Sequence, residues 1–343
     1  MIRVQNVYYM LAYAFQVLHE QGYKNVATEE FDNVAELLSA ILCRGVSVQI
    51  KRGLIRQYIS REEALASPRG KLEIGESIKT QVIRKKQLVC NYDEFSVDAY
   101  PNRIIKTTMD LLLRGSISKA RKKEIRKLMI FFDGISILDI HSINWDIQYD
   151  RNNQTYRMLI AVCRFVIKGL LQTTADGSTK IMDYADDQTM AKLYEKFILG
   201  YYQREHPELK AYSPQIAWQV TDGYRTLLPT MQSDIVITNK AAKKTLIIDA
   251  KYYTHNMQMK ASYMTQTLHS GNLYQIFTYV KNKAAADGKV SGMLLYARTD
   301  EEIQPDNTYM MSGNRISVKT LDLNCDFSEI TRQLNAIADA FIA

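Results

Sequence analysis

Two runs, Ser233-Asp234-Ile235-Val236-Ile237 and Thr245-Leu246-Ile247-Ile248-Asp249-Ala250-Lys251-Tyr252-Tyr253, flank the polar turn Asn239 to Lys244. Both are rich in aliphatic and β-branched residues, the composition of paired strands. With the turn centred between Ala241 and Ala242, Asp234 faces Asp249 across an antiparallel hairpin. Side chains so opposed have Cβ atoms about 4.5 to 5.5 Å apart, and like charges at that distance destabilise the pair unless something neutralises them. The aliphatic residues beside them mark strands buried on both faces, where a carboxylate is kept only if paired or coordinated. A hard divalent cation, Mg²⁺ or Mn²⁺, takes oxygen ligands and keeps several waters. Asp234, Asp249 and the backbone carbonyl of Ala250 therefore make a candidate metal site with room for a phosphate.

Side chains alternate along a strand, so Lys251 shares a face with Asp249, while Ile248, Ala250 and Tyr252 point to the other side. An ammonium beside a bound cation can orient water and stabilise charge building on a phosphate, the parts that phosphodiester hydrolysis needs. Upstream, Met190, Leu193, Tyr194, Phe197 and Tyr201 form the apolar stripe of a helix, with Glu195 on its flank. Downstream, Gln275 lies in the helical run Asn272-Leu273-Tyr274-Gln275-Ile276-Phe277-Thr278-Tyr279-Val280. Taken alone, an Asp-x-Lys on a strand or a Glu on a helix flank usually marks a solvated face, so the apolar context carries the argument.

Working outward, helical spacing is read over residues 7–18 and 30–43, over Asn102–Leu113, Lys119–Phe132, Tyr156–Leu171, Gln188–Gln203 and Asn272–Lys283. Between Gly45 and Ser96 the period shortens toward two, as in Val46, Val48 and Ile50, and predicts a small, strongly bent sheet. Strands are expected between Ala211 and Tyr253 and at Gly292–Ala297. The polar run Thr173 to Lys180 is a candidate boundary. The fold expected is a mixed α+β chain (α/β in the broad sense): a helical and small-sheet region, then a central mixed sheet flanked by helices.

A chain of 343 residues with 46% hydrophobic and 24% charged content is long enough for two folded domains. A formal charge of +7 favours a polyanionic partner without deciding one. No stretch reaches the roughly 18 to 20 apolar residues of a membrane span, and the start lacks the order of a signal peptide, so a cytoplasmic protein off the membrane is expected. Cys43, Cys90, Cys163 and Cys325 show no metal-ligand spacing and read as reduced thiols. His19, His141, His206, His255 and His269 show none either; His255 and His269 follow the hairpin closely enough to approach a substrate. The basic run Lys119 to Lys127 reads first as a solvated helix face, second as a contact for phosphates or a partner. Tyr8, Tyr9, Tyr13 and Phe15 surround the first helix, which suits burial within the chain better than a partner interface. No GxxxxGK[ST] loop is present, so this chain does not hydrolyse nucleotide by that route.

A helical Glu, an Asp opening a hairpin, a DxK on the returning strand and a later helical Gln together resemble the PD-(D/E)XK nuclease superfamily. More closely, the chain is similar to McrC, the nuclease subunit of McrBC-type modification-dependent restriction systems. The likeness runs through Arg3-Val4-Gln5-Asn6-Val7-Tyr8-Tyr9-Met10-Leu11, Pro68-Arg69-Gly70-Lys71-Leu72, Asp98 with Asn102-Arg103-Ile104-Ile105-Lys106, Tyr194-Glu195-Lys196-Phe197, Ser233-Asp234-Ile235 and Leu246 to Tyr253. Ser233 stands where the superfamily name has Pro. The resemblance implies that Asp234, Asp249 and the Ala250 carbonyl bind the metal, Lys251 assists the water, Glu195 completes the acidic cluster and Gln275 positions the site. It implies double-stranded DNA as substrate and an McrB-like AAA+ GTPase hexamer as partner, with GTP bound by that partner and not by this chain. Residues 1–155 would then form the partner-docking domain and 156–343 the endonuclease domain. Two alternatives stay open: a stand-alone repair or recombination nuclease, and a catalytically silent factor that only activates the GTPase.

Overall fold

The computed structural model describes residues 2–15, 31, 33–149, 154–173, 179–181, 187–223, 226–260, 265–287 and 289–343. The chain divides into two compact units, one of Met1–Leu37, Lys168–Leu170 and Asp183–Ala343, the other of Leu38–Ile167 and Leu171–Met182. This differs from the expected division at residue 155. The first helix, α1 (Val4–Phe15), packs on a helix of the C-terminal part, and its aromatic residues are the reason. Residues 16–18 of the predicted helix, His19, and 174–178 of the polar run lie outside the described residues.

In the unit spanning Leu38–Ile167, most of helix α2 (Val34–Arg52) is buried through Leu38, Leu42, Val46 and Gln49. The strand expected at Val46, Val48 and Ile50 is therefore the end of a helix. A short apolar run fits either period, and burial at spacings of three and four decided for the helix. Gly53, at φ +95°, ends it by donating its N–H to the Ile50 carbonyl at 3.2 Å, a left-handed exit that favours glycine. The small sheet follows: β1 (Gln57–Leu65), β2 (Lys71–Leu72) and β3 (Leu88–Ser96), in the antiparallel order β1-β3-β2, with the short helix α3 (Ile74–Lys79) after β2. Helices α4 (Tyr100–Arg114) and α5 (Lys119–Met129) come next. Helix α6 (Gln154–Arg164) passes at Phe165 into a π-helix ending at Leu170, so the predicted helix to Leu171 is interrupted. The short antiparallel pair β4 (Leu171–Thr173) and β5 (Thr179–Ile181) occupies the candidate boundary.

Several sequence motifs that fall in this unit make contacts within it. Asp98 is buried and takes a bidentate ion pair from Arg103, Nε to Oδ1 at 2.8 Å and Nη2 to Oδ2 at 2.9 Å. Ser136 adds its N–H at 2.8 Å and its hydroxyl at 3.0 Å. Lys106 donates to the Ile135 carbonyl at 2.6 Å, so one face of α4 holds the extended segment after α5. Asn102 donates to the carbonyls of Ile55 and Val97 and accepts from the Tyr156 hydroxyl at 2.8 Å. Arg69 lies 3.6 Å from the Tyr92 ring centre. The Lys119 to Lys127 run is largely solvated, with Ile125 buried and Arg121 paired to Glu124 at 2.6 Å.

The other unit carries two short antiparallel pairs, β6 (Gln215–Ile216) with β7 (Met231–Gln232) and β10 (Met257–Lys260) with β11 (Thr265–Leu268), and is built on a five-stranded sheet of order β13-β14-β12-β9-β8. Its members are β8 (Ile235–Asn239), β9 (Lys244–Lys251), β12 (Lys289–Ala297), β13 (Asn307–Met311) and β14 (Asn314–Leu321). β8 and β9 form the predicted hairpin, and β9, β12 and β14 run parallel. Helix α8 (Ser270–Asp287) makes the β9-to-β12 crossover that parallel pairing requires and packs on the sheet through Ile276, Tyr279 and Val280. These meet Val236, Ile247, Leu294, Ile316 and Val318 in one apolar cluster. Helix α7 (Asp187–Glu205) contacts β9 and β8, and helix α9 (Phe327–Ile342) contacts β14. β13, β14 and α9 follow the last element that sequence periodicity predicts.

The start of the chain closes this unit. The Asn6 amide donates to the Leu323 and Cys325 carbonyls, both at 2.8 Å. Tyr9 stacks on Phe327 at 4.1 Å, and the Tyr13 hydroxyl donates to Glu205 at 2.8 Å. Close approach depends on Gly200, where an added Cβ would sit 2.2 Å from the Tyr13 carbonyl oxygen. Tyr8 and Tyr13 of α1 are thus buried, and Tyr9 and Phe15 half-buried, with Tyr9 and Tyr13 stacked on Phe327 of α9. Cys43, Cys90 and Cys163 are free and buried; Cys325 is free and half-buried.

Candidate active site

The hairpin has the register that the turn position implies. Ile235 pairs with Ile248, and the pairing continues outward to Asn239 and Lys244. One step inward, Asp234 and Asp249 come side by side at the end of the ladder. Residues 245–250 of β9 are all buried, which confirms a strand covered on both faces. Tyr252 meets Tyr194 of α7 at 6.2 Å between ring centres, whereas Lys251 meets α8. Alternation therefore places the candidate side chains Asp249 and Lys251 on the α8 face.

Asp249 is 1% exposed, and both of its carboxylate oxygens lack a well-directed hydrogen-bond donor. The Lys251 ammonium, 2.9 Å from Oδ2, and a hydrogen bond with Asp234 favour its charged form. Asp234 accepts the Ala250 N–H through Oδ2 at 2.9 Å, so the residue expected to offer a carbonyl ligand also fixes the first carboxylate. Burial, the Asp249 charge and the Glu195 charge push Asp234 up to about 8. Burial likewise raises Asp249 against the opposing pull of Lys251. Burial alone would lower Lys251, but Asp249 and Asp234 outweigh it and hold the ammonium protonated. Burial also raises Glu195, with Lys251 opposing and Asp249 reinforcing.

Among the described residues, no three His, Cys, Asp or Glu side chains gather at metal-ligand spacing. Of the expected ligands, the fold brings together the Asp234–Asp249 pair, while Glu195 acts on it electrostatically from α7. A buried carboxylate with unsatisfied oxygens beside a second, half-buried one is the donor set that a hard divalent cation completes. The residues present fit such an ion, which would keep water for its remaining positions.

Gln275, on α8, meets Lys251. The Lys251 ammonium donates to Gln275 Oε1 at 3.1 Å, Gln275 Nε2 donates to the Tyr279 hydroxyl at 3.0 Å, and that hydroxyl donates to the Gln232 carbonyl at 3.1 Å. This relay ties the lysine to the strand entering the hairpin. Sequence reading missed Tyr279, although its spacing of four from Gln275 puts both on one helix face. It also missed Asn272 and Tyr296, whose amide and hydroxyl are joined at 3.0 Å beside the strand position paired with Lys251. Ser233 is fully buried; its N–H and hydroxyl both reach the Pro214 carbonyl, at 3.2 and 2.9 Å. A proline there could not make the first of these bonds.

The raised carboxylates give a stability signature. A carboxyl whose folded value lies above its unfolded value of about 4 binds more protons folded than unfolded, so the metal-free protein loses stability as pH rises through that interval. A divalent cation competes with those protons and stabilises more at the upper end. Thermal unfolding should show a larger Mg²⁺- or Mn²⁺-induced rise in Tm at pH 8 than at pH 6, absent from the Asp234→Asn/Asp249→Asn double variant. An equal rise in that variant would place the cation elsewhere.

A family profile described as McrBC 5-methylcytosine restriction system component matches residues 3–297. The curated type IV methyl-directed restriction enzyme EcoKMcrBC of Escherichia coli (strain K12) is 28% identical over 348 residues, covering 99% of this chain and 98% of that protein. Among solved structures, the refined half-complex from the tetradecameric assembly of Thermococcus gammatolerans McrB AAA+ hexamers with bound McrC aligns with 97% of this chain and 76% of its own, at 18% identity and a TM-score of 0.49. The cryo-EM structure of the Thermococcus gammatolerans McrBC complex aligns over 59% of this chain and 58% of its own, at 21% identity and a TM-score of 0.40. Among the described residues, no helix is long and apolar enough to cross a membrane.

Proposed function

Because the chain belongs to the McrBC 5-methylcytosine restriction system component family, we propose that it is the DNA endonuclease subunit of such a system, with Asp234, Asp249 and Lys251 as its cleavage centre. The observation that carries this reading is the buried Asp249 carboxylate, its oxygens unsatisfied, beside Asp234 and 2.9 Å from a protonated lysine. A charge pair so placed costs stability, and folds keep such strain where function uses it. That argument disfavours the silent assembly factor. The family favours a dedicated restriction subunit over a stand-alone repair nuclease.

In this reading Asp234, Asp249 and the Ala250 carbonyl hold Mg²⁺ or Mn²⁺. The bound ion supplies Lewis acidity and lowers the pKa of its water. Lys251, kept charged by the two aspartates, serves as a hydrogen-bond donor to the attacking water and to the non-bridging phosphate oxygens, not as a base. Gln275 and Tyr279 restrict where its ammonium sits. Glu195, from α7, completes the acidic cluster through water. The GTP requirement belongs to an AAA+ GTPase partner, for which the sequence of this chain has no phosphate-binding loop of its own. Docking on that partner falls to the unit spanning Leu38–Ile167, with α1 excluded because it packs on α7 and its Tyr9 and Tyr13 stack on Phe327 of α9.

The test is Mg²⁺-dependent cleavage of methylated plasmid by this chain with its cognate GTPase and GTP, wild type against Lys251→Ala. Loss of cutting with GTP hydrolysis preserved is expected. Equal cutting by both proteins would remove the assignment.

A further inference from the structure

Beyond the carboxylates, the segment that leaves β9 carries a side chain that the cleavage chemistry does not use. Tyr253 lies two residues past Lys251, beyond the end of β9, with its ring centre 6.2 Å from that of Tyr296. It remains 36% exposed, whereas residues 245–250 of the preceding strand are buried. Its hydroxyl donates to Asn272 Oδ1 at 3.1 Å, and Asn272, 8% exposed, passes the bond on from Nδ2 to the buried Tyr296 hydroxyl at 3.0 Å. Tyr296 is the residue opposite Lys251 on β12. The His269 ring sits 5.2 Å from the Tyr253 ring at 45°, and its Nε2 contacts the His255 carbonyl at 3.3 Å. Thr254 fixes the next residue by donating to Asp187 at 2.7 Å. An exposed ring is thus held by its hydroxyl edge and by its backbone, beside an acidic site that repels phosphate.

We propose that Tyr253, with His269 beside it, is a substrate-contacting residue on which the nucleobase flanking the scissile phosphate stacks. The inference rests on the nuclease reading above and specifies how that site holds its strand. Stacking suits the place: it is indifferent to base identity, adds no charge next to the two carboxylates, and needs a ring whose plane is set beforehand. Asn272 and Tyr296 are positioning residues that set that plane and link it to Lys251.

The experiment uses the full chain, a short DNA duplex carrying 2-aminopurine beside the cleaved position, and Ca²⁺ in place of Mg²⁺ so that binding is read without turnover. Tyr253→Ala is expected to weaken binding roughly tenfold, the scale of one base–aromatic stack, and to abolish the stacking quench. Tyr253→Phe keeps the ring and loses only the bond to Asn272, so its binding should fall between wild type and Tyr253→Ala. With the GTPase partner and Mg²⁺, Tyr253→Ala should raise KM and leave kcat at saturating DNA near wild type. Wild-type binding and quench in Tyr253→Ala, or equal damage by the alanine and phenylalanine variants, would overturn the stack. If the wild-type assembly does not cut DNA at all, the nuclease reading fails; if it cuts and Tyr253→Ala shows an unchanged KM, this inference fails alone.

Discussion

Replacing Asp249 with asparagine is expected to abolish cleavage while leaving the metal-free fold as stable as before or more so. The two halves of that result have one cause. Asp249 is a buried carboxylate beside Asp234, and burial and mutual repulsion raise the proton affinity of the pair. Asparagine keeps the shape, removes one of the two like charges, and takes away the ligand oxygen that bears negative charge. A fall in rate of at least about a thousandfold, equivalent to roughly 4 kcal/mol of transition-state stabilisation, is the scale for losing a metal ligand at the reacting centre. The checks are single-turnover plasmid cleavage in the GTPase assembly and thermal unfolding in EDTA. A marked drop in Tm without metal would make Asp249 a structural residue, and retained cleavage would end its catalytic assignment.

Removing the Asp98 carboxylate should have the opposite profile. Asp98→Ala leaves the Arg103 guanidinium and the Ser136 N–H without their partner inside the unit spanning Leu38–Ile167. Breaking a buried ion pair from one side costs about 3 to 5 kcal/mol, and the lower end applies because the Arg103 side chain is 28% exposed. Urea unfolding followed by hydrogen exchange in α4 (Tyr100–Arg114) measures it; a loss below about 1 kcal/mol would show that the pair contributes little. Burial works against the charge of Asp98, yet the bonds from Arg103 and Ser136 outweigh it and hold the carboxyl below its ordinary value. A depressed carboxyl gives stability that is present above the unfolded value of about 4 and lost as pH falls through the folded one. Asp98→Asn should flatten that acid limb. Cleavage per folded molecule should be unchanged.

The contrast shows what the resemblance motifs meant. Asp249-Ala250-Lys251 and Asp98 with Asn102-Arg103 stand out equally in the sequence, yet one carboxylate is left unsatisfied and the other is fully clamped. A string of letters does not state which; the count of donors around each oxygen does.

By itself the sequence determined the hairpin, its register and the face shared by Asp249 and Lys251, because a turn of fixed length and a period of two are local properties that need no partner. It also marked Glu195 and Gln275 as candidates through helical spacing. Tertiary structure decided the rest. Packing turned Val46 to Ile50 into the end of a helix, and moved α1 (Val4–Phe15) into the unit that holds the sheet, because burial is settled by whatever surface lies opposite. The relay from Lys251 through Gln275 and Tyr279 to the Gln232 carbonyl, and the Tyr253–Asn272–Tyr296 link, include contacts between residues 19 to 47 positions apart. Their hydrogen bonds exist only once α8 (Ser270–Asp287) has crossed the sheet, and no periodicity in the chain encodes that approach.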